Sequence, residues 1–127
     1  MTATPSHATV LHASDLTTAD IDAAEKFLKA RIHKAMSNHA TNSDEFRMAQ
    51  AMDRSVFNLV NTVRTAFDLD DGSRSMLRAK QRHWNELCNA LAPWENSEEY
   101  DTARWQPVDY LDPQHAVETA EYLRSRL

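Results

Sequence analysis

Six histidines, one cysteine and two groupings of like charge are the residues of this 127-residue chain that chemistry could use. The histidines lack the spacings that hold a metal. His33 and His39 stand six apart, which puts them on different faces of a helix, and His7 and His12 fall in an N-terminal stretch read as a flexible tail. Asp112 and His115 stand three apart, but Asp112 is needed as a helix cap. No HExxH or paired ExxH pattern occurs, so neither a zinc hydrolase nor a di-iron bundle is supported, and no metal or cofactor is expected. Cys88 falls on an apolar helical face, where a thiol stays protonated and inert. A lone cysteine cannot close an internal disulfide, which fits a reducing, cytoplasmic setting. His83, beside Trp84, is the one histidine placed to titrate or to touch a partner. No Ser-His-Asp set and no glycine-framed nucleophile can be assembled. The expectation is therefore a chain without catalytic residues.

Charge carries more information. Residues 71–92 hold four basic and two acidic side chains, and residues 93–127 hold three basic and eight acidic ones. Arg74, Arg78 and Arg82 form an i, i+4 ladder, with Arg54 and Arg64 as further candidates nearby. Like charges at that spacing repel by a few tenths of a kcal/mol per pair, so an anion is expected against them. Glu95, Glu98, Glu99 and Asp101, folding back across the ladder, would serve from within the chain. A nucleic-acid backbone would serve from outside. The ladder does not sit in a DNA-binding helix-turn-helix. With Gly72 as the turn glycine, charged Asp68 and Arg78 occupy the two positions that must pack, and burying them is costly. The net charge of -5 also repels DNA from the chain as a whole.

The second grouping is acidic and aromatic. Trp94, Glu98, Glu99, Tyr100, Asp101 and Trp105 lie in a stretch from Pro93 to Asp112 that has no helical period beyond one short helix after Ser97. Aromatic anchors inside a charged rim are what a protein-binding surface uses. Rings in a long loop also fasten it to its own core, and this segment is expected to lie flat on the molecule. The reading is a non-catalytic protein-binding module, a small accessory or inhibitor protein, with a DNA-contacting regulator as the alternative.

The elements that position these residues are helical. One glycine and four prolines in 127 residues exclude glycine-rich phosphate loops and argue against a turn-rich β chain. No apolar run reaches the length of a membrane span and no export signal is visible, so no membrane partner is expected. A first helix is predicted from Thr18 to Asn38, capped by Thr17 and Asp20 and stapled by Leu16 and Ile21, with a stripe of Ile21, Ala24, Phe27, Leu28, Ile32, Ala35 and Met36. A second runs from Ser43 to Phe67, capped by Asn42. Its apolar arc is wide enough that it must be central, or shared with a second copy in a homodimer. A third, Arg74 to Ala92, buries Met76, Leu77, Trp84, Leu87, Cys88 and Leu91 and stops at Pro93. The fourth starts at Pro113 behind the Asp112 cap and is expected to bury Val117, Ala120 and Leu123. The fold expected is all-α, a bundle of four main helices with a long acidic, aromatic loop before the last, over residues 16–127, behind a flexible tail at 1–15.

Overall fold

The computed structural model describes residues 9–10, 12–110 and 113–126, with the side chains of 113–116 and 119 left aside. The architecture is all-α: α1 (Thr18–Ser37), α2 (Asp44–Asp68), α3 (Arg74–Leu91) and α4 (Pro113–Ser125), with no strand among the described residues. No helix of the described chain is long and apolar enough to cross a membrane.

Local chemistry sets the helix boundaries. The Thr17 backbone N–H donates to Asp20 at 2.9 Å, and Leu16 and Ile21 are both buried as a staple. The cap of α2 is Ser43 rather than Asn42: its hydroxyl accepts from the Phe46 N–H at 3.2 Å. Ser73 caps α3 in the same way. Gly72 takes the left-handed φ of +82° that turns the chain from α2 into α3. Pro93 lies in a 3-10 turn, Ala92–Trp94, that ends α3. Asp112, the expected cap of α4, lies outside the described residues.

α2 is central and packs on both α1 and α3. Its Ala49, Val56, Val60 and Val63 meet Ile21, Ala24, Phe27, Leu28 and Ile32 of α1 and Leu77, Trp84, Leu87 and Leu91 of α3 in one core. The remaining wall is the chain between α3 and α4. Phe27 is its hub, with Trp105 at 5.1 Å, Tyr100 at 6.0 Å and Trp94 at 6.3 Å between ring centroids. The Trp84 indole donates to the Gln106 carbonyl at 3.0 Å, and the Asn85 amide both donates to and accepts from the Val108 backbone. The segment lies flat on the bundle, as aromatic anchoring requires. The short helix expected after Ser97 is absent, because these residues turn tightly to seat their rings.

Two expectations are corrected. The described part of residues 1–15 is not a flexible tail: Val10 and Ala13 are fully buried, and their N–H groups donate to Ala103 at 3.0 Å and Asp109 at 2.7 Å. Nor does α4 bury its stripe, since Val117 and Leu123 remain 55% and 58% exposed and Ala120 is exposed as well.

Two buried charges tie this assembly together. Arg104 donates to both carboxylate oxygens of Asp20, at 2.9 and 2.7 Å, and to the Asp15 carbonyl at 2.9 Å. Lys80 Nζ lies 3.2 Å from Asp70, 3.4 Å from the Leu16 carbonyl and 4.6 Å above the Phe67 ring. Removing one member of a buried, hydrogen-bonded pair strands the other in a low dielectric. Arg104→Ala is therefore expected to lower unfolding free energy by roughly 3–5 kcal/mol. Asp20→Ala should cost a similar amount, and the double variant clearly less than the sum. Urea titration followed by circular dichroism measures all three.

Candidate functional site

The structure separates the residues singled out as a partner-binding set. Trp105 is buried at 6% exposure and faces Phe27, so it is part of the core rather than an external anchor. Tyr100 is half-buried, edge-on to Trp105 at 5.1 Å, and burial pushes its phenol up. Asp101 accepts from the Arg104 N–H at 3.1 Å and shapes the loop. Glu98 and Glu99 are exposed, and Glu99 reaches Arg31 of α1 at 3.8 Å. Trp94 is half-buried and borders an open groove.

That groove exists because the helices differ in length. α2 has 25 residues, whereas α3 has 18 before Pro93 breaks it. The α1–α2 hairpin thus runs on past the end of α3 with one face uncovered. The resulting cavity of about 260 Å³ is formed by Ile32, Ala35, Ala49, Met48, Met52 and Trp94. Met48 is 66% exposed. Arg31 edges the groove on the α1 side and Glu45 on the α2 side. The stripe positions of α1 and α2 were legible in the sequence. That they end without a cover follows from where Pro93 stops α3, a signal available in the sequence but not read from it.

The middle arginine of the ladder is met by a ring of the segment between α3 and α4. Arg78 lies over the Tyr110 ring at 4.9 Å and donates to its phenol oxygen at 3.4 Å, and this hydrogen bond holds the phenol below its ordinary pKa. Arg74 and Arg82 are exposed. Arg64 belongs elsewhere, spanning from α2 to Asp22 and Glu25 of α1 at 3.0 and 2.9 Å. A polyanion docking on the ladder would have to compete with Tyr110 for its central guanidinium.

His83 borders a different cavity, about 350 Å³ between α2 and α3, whose lining includes Thr62, Thr65, Leu69, Met76 and Ala79 and no second acid, base or thiol. Its Nδ1 is buried without a hydrogen-bond partner and lies 3.6 Å from Glu86. No three His, Cys, Asp or Glu side chains converge among the described residues. Comparison with known proteins gives no family model, no curated relative and no solved structure similar to this chain.

Cys88 is buried at the base of α3, and desolvation pushes its thiol up to about 12. The unfolded chain ionises this thiol near the ordinary 9.0, so the unfolded state sheds its proton first. The thiol's contribution to stability is intact below pH 9 and is lost as pH rises from 9 toward about 12. Native protein at pH 8 is expected to resist a thiol-specific chromophoric reagent and to react fully once unfolded in urea. Prompt reaction of the native protein would contradict this placement of Cys88.

Proposed function

We propose that the chain is a non-catalytic protein-binding module, an accessory or inhibitor protein in kind, that takes an amphipathic helix into the α1–α2 groove. The observation that carries this reading is the uncovered apolar face beyond the end of α3, with Met48 two-thirds exposed above it. A groove between two helices accepts the apolar stripe of a third, at i, i+3, i+4 and i+7. Met48 and Met52 supply side chains that reshape around a ligand without rotameric strain. Trp94 supplies a fixed aromatic wall, held edge-on by Phe27. The exposed carboxylates of Glu95 and Glu98 follow Trp94 and disfavour a polyanion at this place. Of the surface expected from the sequence, Trp94 borders this groove and packs on Phe27 beside Tyr100 and Trp105, and α1 and α2 provide the floor.

The test uses methionine methyl groups labelled with carbon-13 in the full chain, titrated with a synthetic amphipathic helical peptide and with a scrambled peptide of the same composition. The expected outcome is that the Met48 and Met52 signals move with the amphipathic peptide alone. Met76, in the α2–α3 cavity, should stay in place, and Met48→Asp should weaken binding by about tenfold or more. Equal response to the scrambled peptide, or none to either, would refute the proposal.

A further inference from the structure

We infer that the helix occupying the α1–α2 groove is α4 of a second copy of this chain, so that two copies exchange their C-terminal helices. This rests on the reading of the groove as a helix-binding site and names its partner. The chain carries both halves of such a contact. α4 is 13 residues long, and its apolar stripe of Val117, Ala120 and Leu123 stands in solvent. A helix of that length is marginal in water unless its apolar face is covered. The groove presents the complementary deficit, apolar floor without a covering helix.

Reach argues for a second copy. Tyr110, just ahead of α4, is held by Arg78 near the start of α3, whereas the groove opens past Leu91 at its end. The stretch of α3 from Arg78 to Leu91 spans about 20 Å at 1.5 Å per residue, and α4 spans about the same. Leu123 lies only about 15 Å into α4, so α4 laid back along its own bundle would bring the end of its stripe to Ala35 and Met48 only with Leu111 and Asp112 fully extended along the same line. The α4 of a neighbouring copy has no such tether to this groove.

The contact is between unlike surfaces, and reciprocal exchange closes it after two copies instead of extending a filament.

Sedimentation velocity of the full chain across micromolar concentrations tests this. The wild type is expected to be a dimer. Met48→Asp and Leu123→Asp, both at exposed positions that leave helical content unchanged by circular dichroism, should each weaken self-association by about tenfold or more. Val117→Asp repeats the α4 arm at an independent site. The deciding result is the mixture of Met48→Asp with Leu123→Asp. The mixed pair holds one wholly intact contact, whereas neither variant alone holds any, so the mixture should associate more strongly than either variant by itself. A monomeric wild type, a dimer indifferent to Leu123→Asp, or a mixture that associates no better than the separate variants would each overturn the exchange. If the wild type is monomeric while the Met48 and Met52 methyl groups still respond to an amphipathic peptide, the exchange falls and the groove keeps its role as a binding site.

Discussion

The fold depends on the pairing of Asp20 with Arg104 beneath the surface. Taking two charges out of water is expensive, and the cost is offset only when geometry is good and the remaining polar atoms are satisfied. Here the guanidinium meets both carboxylate oxygens, a second arm reaches the Asp15 carbonyl, and the carboxylate also receives the Thr17 N–H. The hydrogen bonds it donates to Asp20 hold Arg104 more firmly charged than a free arginine. One carboxylate thus starts α1 and fixes the loop that walls the core. Once Arg104 is anchored, Trp105 drops onto Phe27, and the backbone at Ala103 and Asp109 lies alongside Val10, His12 and Ala13. The task a fourth packed helix performs in a bundle is performed instead by rings and a salt bridge.

Sequence reading recovered the parts of this that are local. Thr17, Asp20, Leu16 and Ile21 specify the start of α1 within one turn, and Pro93 specifies the end of α3. The cap of α2 was displaced by one residue because Asn42 and Ser43 are both good caps and only the backbone chooses between them. The misses share a cause, which is that they concern partners remote in the chain. Asp20 sits at i-4 and i-7 from Ala24 and Phe27, on the buried stripe. Lys80 lies between Leu77 and Trp84 on the stripe of α3. A charge on a buried stripe demands a counter-charge, and that demand was legible even though Arg104 and Asp70 could not be named. Val10 and Ala13 carry too short a pattern to have any period.

The groove illustrates a different limit. Periodicity reports which side of a helix is apolar and is silent on what lies against it. Met48 and Val117 belong to stripes as regular as those of Leu28 and Leu87, yet two are exposed and two are buried. The difference arises from length: α2 outruns α3, and α4 departs from the far end of the bundle. The aromatic residues divide by the same geometry. Trp105 lies where the loop crosses the core and is swallowed by it, whereas Trp94 lies where α3 has just stopped and keeps a free edge.

The separation of 84 positions between Asp20 and Arg104 also imposes an order in time. As the chain leaves the ribosome, α1, α2 and α3 are all made before the guanidinium that neutralises Asp20 exists. Until then the nascent helices hold a carboxylate at a position that closure would desiccate, and Phe27 has none of its three aromatic neighbours from the loop. Consolidation must wait for Arg104 and Trp105 to emerge, so the three helices condense together only once the loop behind them has been made.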